Sequence, residues 1–243
     1  MKIIKLNAID STNSFLKKLV QESVLENLTV VSAKSQTSGR GQQQQTWHSE
    51  ANKNLTISIY TPFKNLNICN QKYLNFAISI AIYEVLSAHK IPDLSIKWPN
   101  DILSANKKLC GILVENMIKG MKIQSSIIGI GLNVNQEKFP SFLTNATSIK
   151  NCIKKETDLD VLLQTLVLKL KEKIEILNTS QFTILEEDYL SVLYKKNIPT
   201  MFKDCNNALF IGIIKNISTE GKLQIQLEDD SVKEFGIKEI SFA

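Results

Sequence analysis

The sequence predicts a mixed α/β unit followed by a small all-β unit, and three observations carry that prediction. Strand-like runs at Thr29–Lys34, Asn54–Tyr60 and Ser125–Asn135 are interleaved with long helical repeats at Gln71–His89 and Asp158–Leu177. After about Ser191 the helical period gives way to short strand-like runs with tight turns. The chain has 243 residues, 43% hydrophobic and 22% charged, which is enough to bury one sizeable core and a smaller one. The boundary is expected near residue 190, dividing the chain into 1–190 and 191–243.

Taken in order, Asp10-Ser11-Thr12-Asn13 supplies capping residues ahead of Phe15, Leu16, Leu19 and Val20, a helical spacing. Thr29–Lys34 is β-branched and reads as a buried strand. Ser35–Glu50 is polar without periodicity and reads as a long loop. Asn54–Tyr60 alternates Leu55, Ile57 and Ile59 with Thr56 and Ser58, the pattern of a half-buried strand. Gln71–His89 is a helix stopped before Pro92. Ser95–Trp98 and Lys108–Glu115 read as strands flanking the turn Pro99-Asn100-Asp101, with Pro99 keeping Trp98 extended. Ser125–Asn135 is a strongly apolar strand that nevertheless contains Gly129 and Gly131. Asp158–Leu177 is a helix. Asn207–Ile217, Lys222–Leu227 and Ser231–Ile240, separated by Thr219-Glu220-Gly221 and Asp229-Asp230, suggest a small β-barrel.

Composition excludes several classes. Lys+Arg 29 against Asp+Glu 24 gives +5, spread without a dense basic block. That does not suit a dedicated nucleic-acid binder, and it suits anionic small substrates or an acidic protein partner. No apolar run is long enough to span a bilayer, and Met1–Asn7 lacks the apolar core of a signal peptide. The expectation is a cytoplasmic protein that does not engage a membrane. Cys69, Cys110, Cys152 and Cys205 are scattered, with only His48 and His89 to complete a metal site. Free thiols and no structural metal are expected.

Three segments could carry chemistry. In Gln36-Thr37-Ser38-Gly39-Arg40-Gly41, leading to Trp47, two glycines flank an arginine, so backbone N–H groups and a guanidinium can converge on an anion. Taken alone, the plainer reading of the same tripeptide is a flexible exposed turn. Lys97-Trp98-Pro99-Asn100-Asp101 is followed by Lys107-Lys108 and Gly111-Ile112-Leu113-Val114-Glu115. Its plainer reading is a strand end with a packed Trp and a solvated Lys. Gly129-Ile130-Gly131-Leu132-Asn133-Val134-Asn135 places glycines inside a strand, which marks a bulge, a close approach of another group, or packing alone.

In this order and at these separations the segments resemble the biotin protein ligase family. Its hallmarks are a G-R-G loop leading to Trp, a K-W-P-N-D turn followed by K-x-x-G-I-L-x-E, and a G-x-G-x-N-x-N strand. Asp10-Ser11-Thr12-Asn13 and Lys53-Asn54-Leu55 also match, and the likeness spans essentially the whole chain. It implies a mixed-sheet catalytic domain of the class II aminoacyl-tRNA synthetase and biotin ligase type, with an SH3-like β-barrel after it. It also implies an enzyme that joins biotin to ATP, with Mg²⁺, as biotinyl-5′-adenylate and then biotinylates one lysine of a biotin carboxyl carrier protein domain. Some members carry an N-terminal DNA-binding domain. Here the signature begins near residue 7, so a short form without DNA binding is expected, while homodimerisation is left open.

By the same resemblance, Lys97 and Arg40 are the catalytic candidates. Ser11, Thr12, Asn13 and Gln36 fall at or beside the biotin ureido group, with Arg40, Gly41, Gln42 and Lys97 toward its carboxylate. Gly111 and Gly131 are expected to lie against the bicyclic ring, having no Cβ in the way. Gly39, Arg40, Gln42, Trp47, Asn100, Lys108 and Asn133 are the nucleotide candidates. Ser11 and Thr12 also serve as helix caps, and Trp47 also reads as core. The loop is expected to close as a lid. Gln42-Gln43-Gln44-Gln45 departs from the family, which often has further basic residues and, at Gln44, a glycine. Three other readings remain: a biotin-binding protein without ligase activity, a lipoate or octanoate transferase, and a fragment of a class II synthetase. The second lacks K-W-P-N-D, and the third would need motifs that are not seen.

Overall fold

The computed structural model describes residues 2–243, the side chain of Gln44 excepted. A seven-stranded mixed sheet is built from β1 (Ile3–Ile9), β2 (Thr29–Gln36), β3 (Leu55–Asn67), β4 (Leu94–Lys97), β5 (Asp101–Ser104), β6 (Lys107–Lys119) and β7 (Lys122–Leu132). Their spatial order is β1-β2-β3-β7-β6-β5-β4. Only β1 and β2 run parallel; the other pairs are antiparallel. The helices are α1 (Thr12–Glu22), α2 (Gln71–Ala88), the short α3 (Ile149–Ile153), α4 (Leu159–Asn178) and α5 (Phe182–Ser191). None is long and apolar enough to cross a membrane.

The central strands bury both faces. On one face, Ile57 and Ile59 of β3, Ile128 and Ile130 of β7 and Ile112 of β6 share a cluster with Leu74, Ile78, Ile82 and Leu86 of α2 and Leu163 and Leu166 of α4. The other face carries a smaller cluster, Leu16 of α1 with Val31 and Ile127. β3 is therefore not the half-buried strand that its alternation suggested. Thr56 and Ser58 are also buried, because α1 covers them and they hydrogen-bond beneath it.

Helix α1 starts where its caps predict, with Ser11 Oγ accepting from Ser14 N, and Asp158 caps α4 by accepting from Asp160 N and Val161 N. Several elements escaped the sequence reading. β1 is an edge strand with no buried residue among its seven. β5 starts at Asp101, the last residue of what read as a turn, and continues to Ser104 through residues given no assignment, and α5 was not recognised either. The four cysteines are free.

The small β domain is a five-stranded antiparallel sheet. It consists of β8 (Pro199–Asp204), β9 (Leu209–Ile217), β10 (Leu223–Gln226), β11 (Val232–Phe235) and β12 (Ile240–Phe242), in the order β11-β10-β9-β8-β12. β8 was not foreseen, since Pro199 opens it, and proline at the first position of a strand costs no ladder bond. The two sheets share one apolar cluster, which continues from α2 into Phe202, Ile214, Ile217, Leu223 and Ile225. The seam lies along β4 and the residue after it: Ile96 N donates to Val192 O at 2.9 Å and Tyr194 N to Ile96 O at 2.8 Å, tying β4 to the segment between α5 and β8, and Trp98 Nε1 donates to Gly221 O, between β9 and β10, at 3.1 Å.

Because Ile78 is fully buried between α2 and the sheet, Ile78→Ala should cost about 2–5 kcal/mol of unfolding free energy in urea. A loss below about 1 kcal/mol would mean that α2 does not seal this face.

Candidate active site

The strand period of two puts the chemistry on one face. Along β6, Cys110, Ile112 and Val114 point to the α2 side, so Gly111, Leu113 and Glu115 point to the other. Along β7, Ile128, Ile130 and Leu132 take the core, leaving Gly129 and Gly131 opposite. Gly111 pairs directly with Gly131, and Gly129 sits between Ser58 and Leu113. The absent side chains are filled by others. A Cβ at Gly129 would collide with the Asn13 amide, and one at Gly131 with the Trp47 indole. The glycines thus mark close approach, one of the readings left open by the sequence. The group lying on Gly111 and Gly131 here is Trp47, in the space expected for the biotin ring.

A chain of hydrogen bonds runs from the start of α1. Gln36 Oε1 accepts from Thr12 N at 2.8 Å and from Thr12 Oγ1 at 3.0 Å. Ser58 Oγ lies 2.7 Å from Thr12 Oγ1 and 2.5 Å from Asn13 Oδ1, and Asn13 Nδ2 donates to Glu115 Oε2 at 2.9 Å. Ser11, Thr12 and Asn13 are all buried, so capping and lining the cavity are done by the same residues.

The β2–β3 loop folds into a small hairpin. Arg40 bridges to Thr46, Trp47 N donates to Gly39 O at 2.9 Å, and Gly41 N donates to Gln45 O at 2.6 Å. Gln43 at its tip has φ 54°, a left-handed conformation costly for a residue with a Cβ. Arg40, its side chain 45% exposed, forks onto Glu115, with Nη2 3.0 Å from Oε1 and Nη1 3.3 Å from Oε2. Nη1 also reaches Ser14 Oγ at 3.4 Å. Lys17 adds a third cation 3.6 Å from Oε1. Burial pushes the Glu115 carboxyl upward, but hydrogen bonds from Asn13 and Arg40, with the charges of Arg40 and Lys17, outweigh it and hold the group below its usual value.

These parts enclose a cavity of about 270 Å³. Of the residues singled out in the sequence, Ser11, Thr12, Asn13, Gln36, Arg40, Gly41, Gln42, Trp47, Asn100, Lys108, Gly111 and Gly131 line it. Lys108 Nζ pairs with Asp101 at 2.7 Å and stands 5.7 Å from the Trp47 ring centroid. Asn100 spends its amide on Ile112 O at 2.8 Å, pinning the turn to β6. Three candidates lie elsewhere. Gly39 supports the hairpin, and Asn133 is buried behind the floor, donating to Thr147 O at 2.9 Å. Lys97 is half-buried at the end of β4, with its ammonium 4.9 Å from the Phe242 ring centroid and no ion pair among the described residues.

Glu115 and Ile237 are among the wall and support residues that were not singled out. Glu115 was quoted within a motif and given no role, although the two-residue steps from Gly111 through Leu113 put it on the same face. Ile237, between β11 and β12, reaches the cavity from the small sheet, and no local signal could have shown it.

Solved and curated proteins resemble this arrangement. A biotin protein ligase from Aquifex aeolicus in complex with biotin and ATP superposes with a TM-score of 0.80 at 26% identity, covering 100% of this chain and 98% of that one. The bifunctional ligase/repressor BirA of Bacillus spizizenii is 30% identical over 245 residues, covering 98% of this chain and 71% of the relative. A biotin–[acetyl-CoA-carboxylase] ligase of Paracoccus denitrificans is 33% identical over 127 residues, about half of each chain. Fold, cavity and likeness together define a ligase. The chain belongs to the biotin/lipoate A/B protein ligase family, whose model matches residues 6–133.

Two outcomes follow from this geometry. Since the Glu115 carboxyl is held low, its stabilising contribution is complete above the unfolded value of about 4.3 and is lost as pH falls through the lower folded value. The stability gap between the parent and Glu115→Gln in urea should therefore be full at neutral pH and shrink in acid; a pH-independent gap would contradict the ion pair. Gly131→Ala should displace Trp47 toward water and move its emission to the red, Trp98 being sealed at 9% exposure. An unshifted spectrum would mean that the indole does not rest on Gly131.

Proposed function

We propose that this ligase couples biotin to ATP as biotinyl-5′-adenylate, then passes the biotin to one lysine of a biotin carboxyl carrier domain in the cytoplasm. The supporting observation is a single cavity joining a neutral donor–acceptor end at Ser11, Thr12, Asn13 and Gln36 to a cationic end at Arg40 and Lys108. The neutral end suits an uncharged ureido group, and the cationic end suits a carboxylate meeting phosphates. The biotin and ATP held by the Aquifex relative support the same pairing.

The chemistry explains why both ends are needed. A carboxylate is a poor electrophile, and it must approach a triphosphate of the same sign. Attack of its oxygen on the α-phosphorus expels pyrophosphate and creates an acyl group with a good leaving group. Attack of the carrier amine on that acyl carbon then expels AMP. Arg40 would clamp the reacting junction and exclude water. Lys97 would serve there by turning away from Phe242, a rotation open to its flexible stem.

Among the described residues, no group of three or more His, Cys, Asp or Glu side chains could hold a metal ion, and Asp101 is already paired. Mg²⁺ would accordingly travel with the triphosphate, liganded by its oxygens and water, and supply neutralising charge. The carrier domain would be met partly through the small β domain, whose first strand begins at Pro199, beyond the division expected near residue 190, and partly through the exposed sheet edges.

The glutamine run and the outlying Lys97 favour one second reading, a biotin binder without ligase activity. Transfer of labelled biotin to a carrier domain, with ATP and Mg²⁺, separates them. The ligase reading expects ATP-dependent transfer that falls by about 10²–10³ in Lys97→Ala. Tight biotin binding without transfer would establish the binder. For the loop, Gln43→Arg or Gln45→Arg should lower the ATP KM by about 2–5-fold at low salt, less at high salt. An unchanged KM would show that the missing loop charge is immaterial.

A further inference from the structure

We infer that Glu115 is a positioning residue, which fixes the direction of the Asn13 amide and holds the Arg40 guanidinium in the cavity wall. Its geometry stands on its own, whereas its catalytic consequence rests on the ligase reading above. An ionised carboxylate only accepts hydrogen bonds. Asn13 must therefore turn its NH₂ toward Glu115, at 2.9 Å, and its carbonyl toward Ser58, which donates at 2.5 Å. The amide rests against the backbone of Gly129, in the space that a Cβ there would fill. One carboxylate on β6 thus sets which donors and acceptors the head-group end presents.

The same carboxylate takes the Arg40 fork at 3.0 and 3.3 Å. Arg40 is the only arginine in a chain whose other basic residues are all lysines. A lysine ammonium is a point charge and cannot span both carboxylate oxygens, so this contact requires a guanidinium. The fork ties the Gly39–Trp47 hairpin to the sheet. Glu115 is the only acid in an ion pair with Arg40 or Lys17 among the described residues, so no other carboxylate replaces it.

The single arginine also provides the test. An arginine-specific endoprotease can cut the full chain only after Arg40. Glu115→Gln keeps the shape and removes the charge, so it should be cut at least several-fold faster while retaining its thermal midpoint within a few degrees. In biotin-dependent adenylate formation it should raise the biotin KM by about 10–100-fold and also lower kcat. Arg40→Lys, which leaves Glu115 and Asn13 in place, should lower kcat with the biotin KM retained. This split distinguishes positioning from general destabilisation, which would move all readouts together. Faster cutting of Glu115→Gln in a protein that forms no adenylate would uphold the positioning role and overturn the ligase reading instead. Parent-like cutting and biotin KM in Glu115→Gln, or parent-like kcat in Arg40→Lys, would overturn the inference.

Discussion

The pairing of β3, β7 and β6 at the centre of the large sheet constrains everything else. α2 and α4 cover one face of these strands, and the alternation assigns apolar residues to it and mostly small or polar residues to the other, where the cavity opens. Ile128, Ile130 and Leu132 secure the α2 side, where full burial of such a side chain contributes about 1.5–3 kcal/mol. That anchorage fixes the register, so Gly129, Gly131, Gly111 and Glu115 have no choice of face. The cavity floor is thus a by-product of a well-packed core on the other side.

The seam at β4 explains how a second sheet reaches the same cavity. Backbone hydrogen bonds of Ile96 with Val192 and Tyr194 tie β4 to the segment leading into β8, and the indole of Trp98 reaches Gly221 between β9 and β10. The shared apolar cluster makes this junction continuous with the main core. From that position the small sheet offers Ile237 to the cavity and the face of Phe242 to Lys97. Lys97 thus rests on an aromatic face and, among the described residues, is tied to no carboxylate.

Electrostatics and shape meet at Glu115. The hydrogen bonds that start at the caps of α1 end on this carboxylate through Asn13, and its ion pair with Arg40 holds the hairpin. Lys108 is balanced by Asp101 and Arg40 by Glu115, so the cationic groups of the wall are compensated within the chain. An incoming anion therefore exchanges partners with an existing carboxylate, a smaller change than meeting a fully hydrated cation.

Much of this was legible in the residues alone. The cap at Ser11, the long periodic helices, the apolar strand read over Ser125–Asn135 and the three motifs all rest on local spacing, and local spacing is what a sequence displays. Edge strand β1, hairpin strand β5 and proline-led β8 were not, because their burial or pairing comes from neighbours distant in the chain. The sequence by itself determined the family, the face periodicity of β6 and β7, and twelve of the residues that line the cavity. Only the tertiary structure decided that Trp47 lies on the paired glycines, that Asn133 lies behind the floor and that Lys97 stands over Phe242. Glu115 likewise emerged as the common acceptor only there. Such contacts join residues up to 145 positions apart, as with Lys97 and Phe242, through packing that no local pattern records.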